Sequence, residues 1–355
     1  MKKLVTYLIQ TVSVLVMMLA FACGTIAFAE LGYSALLVFS FGYAFAFLSM
    51  YVILILHELG HAFCGYLTDY CLVAFGLGNF LLTKKSGRLH LSRTAVIKNV
   101  GAQYIGLKED ESDQRIILML SGGLMVHLSL MLLAILFGFL TRSWYFAGTW
   151  IFLNLSFFLN NILPVGITDG AKIWELLQQP ENTKYAYLML RHSAQTLLAP
   201  QEYDLKDFIM PVDEEVRGSF AESVRTLQGL VFILDDNIEL AKQQLQSVLE
   251  KTDNPMSKTI SQLYLLQIAL MEGDNKKAEE YASIRGVKSF LSIKTADMQV
   301  IQAWYQFKVK KDVVQTHKAM KIARQKMNSS RLLRDEKIYY QNWLAELEKE
   351  LTEGV

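Results

Sequence analysis

Apolar residues are placed so unevenly along this chain that they dictate most of what it can fold into. From Leu4 to about Leu163 hydrophobic runs dominate, whereas beyond Gly170 charged residues and glutamines recur every few positions and no run is long enough to span a bilayer. Four stretches, 4–29, 34–67, 116–140 and 144–163, each reach the roughly 20 helical residues needed to cross about 30 Å of hydrocarbon. With 52% hydrophobic and 19% charged residues over 355 positions, the chain suits two solvents, lipid and water. The expected fold class is all-α: a polytopic helical membrane domain of about four spans over 1–170, then a soluble, repeat-like helical domain over 171–355. The second stretch is too long for one straight span, so it must tilt, bend or project, and a break near Gly42 stays open.

The start, Met1-Lys2-Lys3 and an apolar run ending Ala27-Phe28-Ala29-Glu30, also fits a signal peptide. The run is long for a signal peptide's apolar region, so a retained first helix is expected, and the later topology is the same either way. Lys2 and Lys3 put the N-terminus inside, and the segment between the second and third spans carries Lys84, Lys85, Arg88, Arg93, Lys98, Lys108 and Arg115. The opposite side has only Arg142 in its short loop, with Trp144, Tyr145 and Trp150 as an aromatic belt. Both termini, and with them the C-terminal domain, are therefore expected in the cytoplasm. A Lys-rich start and a short membrane core point to a bacterial plasma membrane.

A net charge of +1 without a basic face or aromatic platforms argues against nucleic acid as a partner. Cys23, Cys64 and Cys71 lack the paired spacing of a disulfide framework or a zinc ribbon and read as small apolar packing residues.

Within the second span, after Tyr51-Val52-Ile53-Leu54-Ile55-Leu56, stands His57-Glu58-Leu59-Gly60-His61. On a helix the two histidines project from nearly one face and can bind one zinc ion, and the Glu58 carboxylate beside them can take a proton from water. On a soluble helix the same residues could form a mere polar surface. Inside an apolar helix a central charge costs about 2.5–3.5 kcal/mol even on a lenient scale, so this group needs partners or a metal. Two histidines leave a catalytic zinc one protein ligand short, and the best third candidate is Asp169, in Asn161-Ile162-Leu163-Pro164-Val165-Gly166-Ile167-Thr168-Asp169-Gly170. Pro164 ends the fourth helix, Gly166 and Gly170 permit unusual backbone angles, and non-helical backbone at membrane depth must face protein or a water-filled cavity.

HExxH in one membrane helix followed by Asn-x-x-Pro-x-x-x-x-Asp-Gly in a later one resembles the paired motif of the site-2 protease family. The resemblance covers about 45–175 and implies an intramembrane zinc metalloprotease acting on membrane proteins or membrane peptides. It implies His57, His61 and Asp169 as ligands of one Zn2+ per chain, Glu58 as general base, and Asn161 as a residue that positions substrate or stabilises the oxyanion. Asn161 also has a plainer reading, an interhelical hydrogen bond. Where relatives often have Gly-Gly-Pro-x-x-Asn, this chain has Gly122-Gly123-Leu124-Met125-Val126-His127, and His127 is left between a satisfied interhelical bond and a role at the site, assisting it or substituting as a ligand. Residues 79–83 and 88–92 flank Lys84-Lys85-Ser86-Gly87 in a hairpin pattern. In the family such a hairpin is thought to accept substrate as an added strand; an ordinary cytoplasmic hairpin is the alternative.

In the C-terminal half Asp236, Asp274 and Asp312 recur at an interval of 38, each expected to N-cap the second helix of a pair. The pattern looks tetratricopeptide-like, with a period longer than the usual one of about 34. Such arrays often take a protein or peptide partner, and a domain that only steadies the membrane part is the alternative. Trp304 and Tyr305 are expected in its core. A catalytically silent, membrane-tethered scaffold is the competing function, and the intact Glu58 argues against it.

Overall fold

A computed structural model describes residues 2–77, 80–85, 88–93, 101–106, 115–164, 168–209, 211–212, 216–252 and 254–353. Asn79, Ser86, Gly87, Lys98, Lys108 and 165–167, which include Gly166, lie outside the described residues. The chain divides into two compact units, one comprising 1–84 and 90–183, the other 184–355 with 85–89.

The first unit begins with α1 (Lys2–Glu30) and α2 (Ala35–Leu67), followed by strands β1 (Tyr70–Leu77), β2 (Phe80–Lys85), β3 (Arg88–Arg93) and β4 (Gly101–Gly106). The helices α3 (Ile116–Thr141), α4 (Trp144–Ile162) and α5 (Asp169–Gln178) complete it. Three helices, Thr6–Glu30 within α1, Ala35–Leu67 and Ile116–Thr141, are long and apolar enough to cross a membrane. The fourth expected span is present as α4 but falls short of the apolar character of the others, because Asn154, Asn160 and Asn161 lie along it. Two of these asparagines are satisfied inside the bundle. Asn160 Nδ2 donates to Ser13 Oγ and to the Ser156 carbonyl (2.9 Å), and Asn154 is fully buried. Ser13 and Ser156 donate to each other's carbonyls at 3.0 Å, fastening α1 to α4.

The second stretch forms one continuous helix of 33 residues, about 50 Å long, with no break at Gly42. Gly42 serves packing instead: a Cβ there would lie 2.6 Å from Thr25 Cα, so α1 and α2 touch backbone to backbone. The same device recurs nearer the histidines, where a Cβ on Gly60 of α2 would sit 2.5 Å from the Gly122 carbonyl oxygen of α3.

The expected hairpin is one half of a four-stranded sheet of order β3-β2-β1-β4. Strand β1 pairs antiparallel with β2 (Ala74 opposite Thr83) and with β4 (Tyr70 opposite Gly106), with a register shift between Leu72 and Ala74. The hairpin pattern did not reveal β1 and β4, since only Thr68 and Asp69 part β1 from α2 and its apolar residues read as more of the helix's run.

The second unit is helical: α6 (Thr183–Leu198), α7 (Ser219–Leu234), α8 (Ile238–Lys251), α9 (Pro255–Met271), α10 (Asn275–Ser283), α11 (Arg285–Leu291), α12 (Ala296–Tyr305), α13 (Val313–Met327) and α14 (Arg334–Glu353). Three helix–turn–helix pairs, α7/α8, α9/α10 and α12/α13, follow the 38-residue interval of the aspartates. Asp274 and Asp312 cap α10 and α13 through the amides of Lys277 (3.1 Å) and Gln315 (2.9 Å). Asp236 does not cap: it stands in the left-handed region at φ 59°, and Asn237 holds the N-cap position of α8. One residue of turn geometry separates the third aspartate from its expected role. Trp304 and Tyr305 are buried as expected, with the Trp304 ring stacked on Trp343 at 5.4 Å and its Nε1 donating to the Trp343 carbonyl.

Candidate metal centre

Three elements far apart in sequence deliver the donor atoms. Helix α2 carries His57 and His61 one turn apart, so both side chains leave the same face. Helix α3 crosses this face so closely that a Cβ on Gly123 would sit 2.2 Å from His57 Cε1 and 2.6 Å from each ring nitrogen. Asp169 is the first residue of α5. Leu163, which precedes Pro164, is extended (φ −61°, ψ 130°) and ends α4, as a residue before proline tends to do. The Thr168 hydroxyl then donates to the Leu163 carbonyl and accepts from the Ala171 amide (3.1 Å), capping the new helix. Gly170 lets α5 start against the end of α4, since a Cβ there would fall 2.2 Å from the Ile162 carbonyl oxygen.

The result is a triangle of donor atoms. His57 Nε2 and His61 Nε2 each lie 3.2 Å from Asp169 Oδ2 and 3.2 Å from one another. All three residues are buried, at 6%, 4% and 8% exposure. Tetrahedral bonds of about 2.0 Å separate donors by about 3.3 Å, so a mixed nitrogen and oxygen set with these spacings fits Zn2+ with a fourth position free. The outer contacts also suit a metal centre. His61 Nδ1 donates to the Met119 carbonyl at 2.9 Å, and His57 Nδ1 faces His127 Nε2 at 3.0 Å.

Glu58 is partly buried and within electrostatic reach of His57, His61, Asp169 and Lys172. Asn161 lies at the end of α4, partly buried, with its carbonyl oxygen against Gly170. His127 is wholly buried and is not one of the three converging donors, because its ring nitrogens face His57 and Asn154. Two residues were not singled out from the sequence. Asn154 accepts from His127, and its signal was available: it stands seven positions before Asn161 and so shares its helix face. Lys172, one turn into α5, places a cation near Glu58 and Asp169; a lysine after Asp-Gly carries no distinctive pattern.

Residues 45–142 match the family model described as Peptidase family M50. The match spans most of α2, the sheet and α3, and stops short of α4 and Asp169. No curated protein and no solved structure matches the chain.

Proposed function

We propose, from the match of residues 45–142 to peptidase family M50, the site-2 protease family of membrane metallopeptidases, that the chain is an intramembrane zinc endopeptidase. Its substrates are peptide bonds in or beside transmembrane segments of membrane proteins or peptides. The observation that carries this reading is the meeting of His57 Nε2, His61 Nε2 and Asp169 Oδ2 at 3.2 Å, with Glu58 alongside.

His57, His61 and Asp169 would hold the ion, which supplies Lewis-acid polarisation of a carbonyl and of water when bound. Glu58 takes a proton from the attacking water and delivers it to the leaving amine nitrogen. Asn161 orients the substrate backbone or steadies the developing oxyanion. The buried walls exclude bulk water, so charges inside the site interact more strongly than in solution. A substrate helix hides its carbonyls and must unwind before attack. Strand β3, an edge strand with Leu89 and Leu91 exposed, supports capture of the unwound segment as an added strand.

In this reading the basic segment between α2 and α3 and both termini lie in the cytoplasm at a bacterial plasma membrane. The helical array of the second unit recruits a protein or peptide partner. The decisive experiment is elemental analysis of detergent-purified protein, paired with cleavage of a panel of single-span peptides. One zinc per chain is expected, lost or weakened in Asp169→Asn; Glu58→Gln keeps zinc and loses cleavage. A zinc-free protein that cuts nothing under metal-replete conditions would overturn the proposal.

A further inference from the structure

The hydrogen-bond direction at His57 can be traced back to a backbone group. The Trp150 carbonyl can only accept, so the Asn154 atom facing it at 2.8 Å is the amide nitrogen. Asn154 Oδ1 is then the atom that faces His127 Nδ1 at 2.9 Å. An amide oxygen only accepts, so His127 Nδ1 carries the hydrogen and, in the neutral ring, Nε2 is the acceptor. His57 Nδ1, 3.0 Å from that Nε2, is therefore the donor, which leaves His57 Nε2 a bare lone pair at its corner of the triangle. His61 reaches the same tautomer directly, through the Met119 carbonyl.

We propose that His127 and Asn154 are positioning residues that lock His57 in the Nδ1–H tautomer and so present its Nε2 to the metal. The inference rests on the metal-centre reading above and assigns a role to a histidine that the motifs leave open. His127 does not ligate the same ion, because its Nε2 meets His57 on the ring edge remote from the triangle and its Nδ1 is held by Asn154. Both residues are fully buried, and Phe157 stacks on the His127 ring at 5.9 Å, so solvent does not readily replace either bond. One carbonyl in α4 thus sets the ligand on α2 through α3. Outer-shell partners of this kind typically change metal affinity by about ten- to hundred-fold when removed.

The test uses the full-length protein in detergent and two readouts. Nitrogen-15 shifts of labelled histidines in metal-free protein report the tautomers, and competition with a chromophoric chelator reports zinc affinity. His57 and His127 are expected as Nδ1–H tautomers in the wild type. Asn154→Leu and His127→Leu lower zinc affinity about ten- to hundred-fold. Asn154→Asp, which keeps an acceptor toward His127, stays within about three-fold, and His127→Gln, whose amide oxygen can accept from His57, regains part of the loss. The proposal is overturned if His57 is an Nε2–H tautomer in the wild type, or if all four variants bind zinc like the wild type. Equal losses in the leucine and polar variants would also overturn it, since packing alone would then account for them. Wild-type protein with the expected tautomers but no zinc uptake would support the relay and remove the metalloprotease reading.

Discussion

Replacing Gly123 with alanine adds one methyl group to the wall behind His57, and the consequence follows from distances. The new Cβ would lie 2.2 Å from His57 Cε1, whereas ordinary carbon contact needs about 3.5 Å, so the ring or α3 must retreat by more than about 1 Å. His57 Nε2 would then leave a triangle whose sides are all 3.2 Å. A displacement of that size in a preorganised site typically costs about a hundred-fold, so zinc affinity should fall by about that factor, close to 3 kcal/mol. Relieving the overlap also costs about 1–3 kcal/mol of packing, offset in part by alanine's advantage of about 1 kcal/mol over glycine in a helix interior. Fold stability should therefore fall by no more than about 2 kcal/mol, less than the loss in metal binding. Gly65→Ala is the matched control on α2, because its Cβ would meet nothing nearer than Met119 Cγ at 3.4 Å. Both variants would be titrated with zinc against a chelator while thermal melting is followed by circular dichroism. Undiminished zinc affinity in Gly123→Ala would refute the packing of His57 against α3.

Gly170→Ala should likewise separate α5 from the end of α4 and carry Asp169 away, lowering zinc affinity at least ten-fold; wild-type affinity by the same titration would contradict it. In the second unit, burial pushes the His192 imidazole down to about 4 from its ordinary value near 6.5, so the folded state prefers it neutral. Its contribution is complete above pH 6.5 and is lost as pH falls from there toward 4, by at most about 3 kcal/mol. The residue as a whole is only partly buried, which lowers that ceiling; His192→Leu should flatten the acid limb of urea stability measured against pH, and an unchanged limb would rule the histidine out. Asp274→Ala and Asp312→Ala should each lower the urea midpoint, whereas Asp236→Gly should leave it unchanged or raise it slightly because its φ is positive; equal losses at all three positions would contradict the capping assignment.

The convergence of His57, His61 and Asp169 was legible from sequence because these residues are costly where they stand: two histidines in an apolar helix and an aspartate after a helix-breaking proline must have partners. The all-helical class followed from the apolar runs for the same reason. What the sequence did not reveal depended on geometry between elements. Gly42 suggested a break because a glycine looks the same in sequence whether it bends a helix or admits a neighbour. Three asparagines made α4 less apolar than its role in the bundle, and only the packing shows that Asn154 and Asn160 point inward to His127 and to Ser13. Strand β4, Gly101–Gly106, has glycine at both ends and little alternation, so its pairing with β1 leaves no clear trace in composition. Asp236 differs from Asp274 and Asp312 by backbone conformation, which identical side chains cannot announce.

The clasp between Ser13 and Ser156 joins residues 143 positions apart, and Asp169 meets His61 across 108. During synthesis α1, α2 and α3 are made before α4 exists, so His57 and His61 are present before their acidic partner is translated. The nascent chain therefore carries an incomplete donor set until α5 is made. Arrival of α4 secures α1 and brings Asn154 to His127; α5 then supplies Asp169. Completion of the bundle and completion of the donor set are thus one late event, and a ribosome stalled before the fourth helix would hold a chain whose two histidines lack Asp169.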